Sequence, residues 1–129
     1  MANLLVVDDE ADIRRVMVKI LEARGHDVAT ANDGLEALEA VATSPPDLVI
    51  LDVNLPHIDG FEVCKRLKTD PATSHIPVIM VTAAYVSVHD AQHGTGLGAD
   101  EYVTKPFLRE VLVHNVERLV EQKDHGDSQ

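Results

Sequence analysis

A chain of 129 residues, 45% of them hydrophobic, has the length and apolar content for one domain with a single core, without help from disulfides or a structural metal. A formal net charge of −11 without a basic cluster argues against direct binding to nucleic acid, whose phosphates demand grouped Lys and Arg. Aromatic residues make up 3% of the chain and Trp is absent, so stacking platforms for single strands or sugars are not expected either.

Cys64 is the single cysteine, which excludes an intramolecular disulfide, suits a buried apolar position and predicts a reducing, cytoplasmic setting. The first residues, Met1 to Val7, offer neither a basic leader nor an apolar stretch long enough for a bilayer, so no membrane contact is expected.

Short β-branched runs alternate with stretches of helical period, and the runs are too continuously apolar for half-exposed antiparallel strands. Leu4 to Val7 is the first predicted strand. A helix follows, with Ile13, Val16, Met17, Ile20 and Leu21 at core spacing and Gly25 as its stop. Asp27 to Ala31 is a weaker strand, and the turn Asn32-Asp33-Gly34 leads to a helix packed through Ala37, Leu38 and Val41.

After Pro45 and Pro46, Leu48 to Leu51 is the apolar kind of strand that lies buried under helices on both faces. Pro56, Asp59 and Gly60 mark a turn before a short helix around Phe61, Val63, Cys64 and Leu67; Asp70 and Pro71 then open a loop. Val78 to Val81 is the fourth strand, Ala83 to Gly98 a weakly anchored fourth helix, and Tyr102 with Val103 part of a fifth strand. The last helix starts after Pro106, with Leu108, Val111, Leu112, Asn115 or Val116, and Leu119 turned inward. Residues 1–121 thus form one domain, and 122–129 a polar tail.

Repeated βα units predict an α/β fold with a doubly wound five-stranded parallel sheet and helices on both faces. Ligand sites in such sheets sit at the carboxyl ends of the strands. Asp8 and Asp9 follow the first run, Asp52 the third, Thr82 the fourth, and Lys105 with Pro106 the fifth. Three carboxylates gathered there repel: one like-charge pair at about 4 Å costs roughly 4 kcal/mol at an effective dielectric near 20. A hard divalent cation with oxygen ligands, Mg²⁺, is the natural counter-charge. Lys105 can contact a phosphate oxygen as a point charge, Asp52 can attack phosphorus, and the Thr82 hydroxyl can donate to a phosphoryl oxygen.

These segments, in this order and spacing, resemble receiver domains of two-component response regulators, of the chemotaxis-regulator type, from Leu4 to about Val120. The resemblance rests on Asp8 and Asp9 after two valines, LVILDVNLPHIDG around Asp52, VIMVTA ending at Thr82 and Ala83, and GADEYVTKPF with Tyr102, Lys105 and Pro106. It implies a flavodoxin-like (βα)5 fold with strand order 2-1-3-4-5, and residues 1–121 as the receiver.

The resemblance also implies Mg²⁺, with Mn²⁺ as a substitute, in a site of Asp8, Asp9, Asp52 and the backbone carbonyl of Asn54, with Asp9 as the direct ligand and Asp8 acting mainly through a bound water. Asp52 would be the phosphoacceptor, Thr82 and Tyr102 the switch pair, and the Lys105–Pro106 bond cis. The implied role is a signalling switch with autocatalytic phosphoryl acceptance and slow self-dephosphorylation, not an enzyme with independent substrates. The implied partners are a histidine kinase or histidine phosphotransfer protein docking near Glu10, Ile13, Arg14 and Pro106, and an effector reading the surface of the fourth helix, fifth strand and last helix. A phosphorylation-dependent dimer is a further expectation.

The segment from Thr82 to Gly94 departs from the family pattern by about one residue, and Ala84 puts no polar group beside the phosphoryl site, which predicts a site open to water there. His89 and His93, four apart, could share one helical face, but no Glu lies between them in the metalloprotease arrangement, and His26, His57, His75, His114 and His125 are scattered and expected to be solvated. A haloacid-dehalogenase phosphatase would need a second acid where Asn54 stands. A flavodoxin electron carrier would need a Ser/Thr-rich phosphate loop that is missing.

Overall fold

The computed structural model describes residues 2–83 and 99–127. Five strands, β1 (Asn3–Val7), β2 (Asp27–Ala31), β3 (Leu48–Asp52), β4 (Val78–Ala83) and β5 (Glu101–Lys105), form one sheet in the order β2-β1-β3-β4-β5. Every pairing is parallel. The helices are α1 (Ala11–Glu22), α2 (Gly34–Thr43), α3 (Gly60–Thr69) and the last helix, α4 (Arg109–Asp127). The helix expected between Ala83 and Gly98, together with Ala84 and its loop, lies outside the described residues, as do His89 and His93.

Alternation along the strands divides the core into two layers. Leu5, Val7, Val49, Leu51, Val78 and Met80 cluster with Ala37 and Val41 of α2 and Val63, Cys64 and Leu67 of α3. Their neighbours Leu4, Val6, Leu48, Ile50, Ile79 and Val81 cluster with Met17 and Leu21 of α1 and Leu112, Val116 and Leu119 of α4. Central β3 is buried at every position. Doubly wound topology and strand order are therefore as expected from the sequence.

Local signals place the helix ends. Gly25 ends the α1 turn with φ 90, a left-handed conformation open to glycine. Asp33 caps α2 by accepting from the Glu36 N–H at 2.8 Å, and Asp59 caps α3 by accepting from the Glu62 N–H at 2.9 Å.

Several details differ from expectation. Val16 is 51% exposed, and Leu108 and Val111 are 67% and 41% exposed. A helix lying on a sheet buries a narrow stripe; at 100° per residue Val16 sits about 120° from the midline between Met17 and Leu21. In α4 the stripe runs through Leu112, Val116 and Leu119, so Val116 faces the core and Asn115 is only half-buried. The backbone of α4 continues past Glu121 to Asp127.

His26 is also unlike the expectation of solvated histidines, being 8% exposed. Its Nδ1 accepts from the Ala2 N–H at 3.2 Å, and its Nε2 lies 3.4 Å from Glu117 Oε2, because the turn after α1 tucks it between β1 and α4. His57, His75 and His114 are exposed.

Candidate functional site

The buried polar side chains among the described residues are Asp8, His26, Asp52 and Thr82. All but His26 lie at the carboxyl end of the sheet, and the register explains why. Val7 pairs with Leu51, so Asp8, one residue on, comes level with Asp52. Asp52 pairs with Val81, Thr82 with Thr104, and Ala83 with Lys105. Asp52 and Thr82 belong to their strands rather than following them, since β3 and β4 run further than the apolar runs suggested.

Lys105 binds the carboxylates together. Its Nζ donates to Asp8 Oδ2 at 3.1 Å and to Asp52 Oδ2 at 3.3 Å. The other oxygen of each acid is held by backbone: Asp8 Oδ1 accepts from the Glu10 N–H at 2.9 Å, and Asp52 Oδ1 from the Asn54 N–H at 3.2 Å. Arg14 Nη1 donates to the Asp8 carbonyl at 2.7 Å, fixing the turn from β1 into α1. The peptide bond between Lys105 and Pro106 is cis.

Burial pushes the Asp52 carboxyl up to about 6, and the nearby charge of Asp8 adds to this, against the opposing pull of Lys105. Burial works against the Lys105 ammonium, but Asp52 and Asp8 together outweigh it and hold the amine above the usual lysine range. Cys64, by contrast, is pushed up to about 11 by burial, an inert thiol in the core.

Asp8, Asp9, Glu10 and Asp52 each offer a carboxylate oxygen within 4.8 Å of the others. The set contains only hard oxygen donors, the chemistry of Mg²⁺ or Mn²⁺ rather than of a soft metal. The Thr82 hydroxyl, on a residue 2% exposed, has no hydrogen-bond partner among the described residues. A buried hydroxyl in that state costs free energy unless a ligand engages it. The acidic residues and Thr82 therefore fit a divalent cation beside an oxyanion.

Tyr102 stands apart, near the start of β5 and level with Met80, half-buried against the core layer of α2 and α3. Asn54 is exposed next to Asp52. Three contributors escaped the sequence reading. Glu10, assigned there to a partner-facing surface, joins the acidic cluster. Arg14 holds the Asp8 carbonyl instead of only facing outward. Gly60, read as a turn residue, packs against the Asp52 backbone so closely that a Cβ would lie 2.3 Å from its carbonyl oxygen. Adjacency to Asp8-Asp9 was the available signal for Glu10.

A doubly wound parallel sheet with paired acids after its first strand, an acid ending its central strand and a lysine ending its edge strand defines an α/β protein with a charged ligand site at the carboxyl edge of its sheet. This chain belongs to the response regulator receiver domain family, which matches residues 4–117.

It is 40% identical over 124 residues to the DNA-binding dual master transcriptional regulator RpaA of Synechocystis, covering 96% of this chain and 51% of that protein. It is 48% identical over 105 residues to the alkaline phosphatase synthesis transcriptional regulatory protein PhoP of Bacillus subtilis, covering 81% and 42%. The chain spans about half the length of these curated relatives. Among solved structures, the chemotaxis response regulator CheY4 of Vibrio cholerae superposes with a TM-score of 0.86 at 35% identity, over 92% of this chain and 98% of that one. The signal receiver domain of a signal transduction histidine kinase from Syntrophus aciditrophicus does so with a TM-score of 0.89 at 33% identity, over 95% and 92%. The chain is thus a two-component receiver domain, a signalling switch by family. Among the described residues no helix is long and apolar enough to cross a membrane.

Proposed function

We propose that Asp52 accepts a phosphoryl group from the phosphohistidine of a histidine kinase or histidine phosphotransfer protein, and that the modified domain signals through a changed surface. The observation that carries this reading is the buried Asp52 carboxylate 3.3 Å from the Lys105 ammonium, in register with a strand whose Thr82 hydroxyl lacks a partner among the described residues.

The chemistry balances without a co-reactant. An Asp52 oxygen forms the O–P bond as the N–P bond of the phosphoimidazole, protonated on its other ring nitrogen, breaks, so that the histidine leaves as neutral imidazole. Lys105, already on Asp52 Oδ2, follows the incoming phosphoryl oxygens as a point charge. Thr82 donates its hydroxyl to one of those oxygens and gains the partner it lacks.

Asp9, Asp52 and the Asn54 carbonyl would hold Mg²⁺ or Mn²⁺ directly. Asp8, with one oxygen on Glu10 N–H and the other on Lys105, is better suited to act through water, while Asp9 is exposed. When bound, the cation neutralises charge on the transferring group.

Movement of Thr82 toward the phosphate vacates space near β5, and Tyr102 changes its packing in response. The output is a shift between two populations, read by an effector on the side of β5 and α4 or by a second phosphorylated copy. A donor docks over α1 and the strand ends, where Glu10 and Pro106 are exposed and Ile13 and Arg14 half-exposed. Residues 1–121 form this functional unit, with 122–129 as a polar extension.

Intact-mass measurement after incubation with acetyl phosphate and Mg²⁺ tests the reading. The wild type gains one phosphoryl group and Asp52→Asn gains none. An equal adduct on both proteins, or none on either, overturns it.

A further inference from the structure

Glu10 is the one residue of the acidic cluster that the proposed chemistry leaves without a task. It is the N-cap of α1, yet its side chain makes no capping hydrogen bond. Glutamate is not among the residues that cap well at this position, so the α1 N–H groups do not hold its carboxylate and it is free to reach another partner. Here the Glu10 carboxylate turns to the site, with Oε1 3.8 Å from Lys105 Nζ and a carboxylate oxygen within 4.8 Å of those of Asp8, Asp9 and Asp52. Its backbone N–H donates to Asp8 Oδ1 at 2.9 Å, so main chain and side chain both tie it to the site.

We infer that Glu10 is a positioning residue with two opposed effects: it strengthens divalent-cation binding and slows phosphoryl acceptance. The inference rests on the phosphoacceptor reading above. Its physical basis is charge. Three carboxylates, those of Asp8, Glu10 and Asp52, share the Lys105 ammonium, and Asp9 lies in the same cluster, so the Glu10 charge adds to the attraction for a dication. The same charge repels a dianionic phosphoryl donor, and it draws on Lys105, which must follow the phosphoryl oxygens once transfer begins.

The Glu10 side chain is 62% exposed, so both effects are moderate and screened by salt. Exposure also makes Glu10→Gln, which keeps size and removes charge, a substitution that the fold tolerates. Glu10→Asp keeps the charge on a shorter arm.

The test compares wild type, Glu10→Gln and Glu10→Asp in two measurements: Mg²⁺ affinity by calorimetry, and the rate of phosphorylation by acetyl phosphate at saturating Mg²⁺. In Glu10→Gln, Mg²⁺ binding weakens about 3- to 10-fold and phosphorylation speeds up about 2- to 5-fold at low salt, both differences shrinking at 0.5 M salt. Glu10→Asp recovers at least half of the lost affinity.

A merely structural role would move both quantities in the same unfavourable direction and would not respond to salt. If the wild type binds Mg²⁺ and is phosphorylated while Glu10→Gln matches it in both, the inference about Glu10 falls and the phosphoacceptor reading stands. If the wild type neither binds Mg²⁺ nor gains a phosphoryl group, both fall.

Discussion

The Lys105 ammonium donates to Asp52 Oδ2 at 3.3 Å across 53 positions of sequence, and it does so because β4 alone separates the strands that end in these two residues. The same ammonium reaches Asp8 at 3.1 Å. It is therefore the internal counter-charge of a site that would otherwise hold two buried carboxylates face to face.

Removing that charge should be costly without a cation. Lys105→Met is expected to lower stability by about 1–3 kcal/mol in EDTA, because the buried acids lose their partner while the aliphatic packing of the side chain is kept. Millimolar Mg²⁺ should restore more stability to Lys105→Met than it adds to the wild type. Urea denaturation with and without Mg²⁺ measures both; a variant as stable as wild type in EDTA would contradict the assignment.

Asp52 has the opposite sign. Its carboxyl titrates near about 6 in the folded chain against 3.8 as the ordinary value, so the folded state holds the proton more tightly than the unfolded one. Wild-type stability from this group is full below about pH 4 and is lost as pH rises through about 6. Asp52→Asn should then stabilise the metal-free protein at pH 7.5 by up to about 3 kcal/mol, at 1.36 kcal/mol per pK unit. The gain should vanish by about pH 4. Thermal melts of both proteins across this range give the comparison, and a gain independent of pH would argue against burial of a charge as its cause.

Gly60 opens α3 directly over the end of β3. A methyl group there would sit 2.3 Å from the Asp52 carbonyl oxygen and 2.8 Å from Val53 Cα, both backbone atoms of a buried strand end. Gly60→Ala is expected to cost more than about 2 kcal/mol by overpacking. It should also slow phosphoryl acceptance wherever it remains folded, since the displaced atoms carry the proposed phosphoacceptor, Asp52. Chemical denaturation and phosphorylation by acetyl phosphate report the two effects separately.

The face of α1 gives a matched pair. Met17→Ala should destabilise by about 2–5 kcal/mol, as a large buried side chain does when truncated. Val16→Ser, one position away, should stay within about 0.5 kcal/mol because Val16 is 51% exposed. Equal losses at both positions would show that the buried stripe of α1 lies elsewhere.

The order of βα units, the buried central strand from Leu48 and the polar residues at the carboxyl ends of four of the five strands were legible in the amino-acid sequence, because period, continuous apolar runs and turn residues are local properties. Asp8, Asp9, Asp52, Thr82 and Lys105 could be nominated together because parallel strands bring their carboxyl ends to one edge.

Other features depended on how elements pack against one another. Which three or four apolar residues of α1 and α4 form the buried stripe depends on how each helix lies on the sheet, and Val16, Leu108 and Val111 fell outside it. His26 is buried because β1 and α4 close around a turn, which no local pattern announces. The direction of the Glu10 carboxylate, toward Lys105 instead of the α1 N–H groups, is a balance between a helix end and a charge 95 positions later in the chain. Sequence alone thus determined which residues stand at the strand ends, because strand, turn and helix are encoded over a few residues. Tertiary structure decided which of them share one ammonium, since distances of 3 to 4 Å between remote side chains exist only after strand register and helix packing are set.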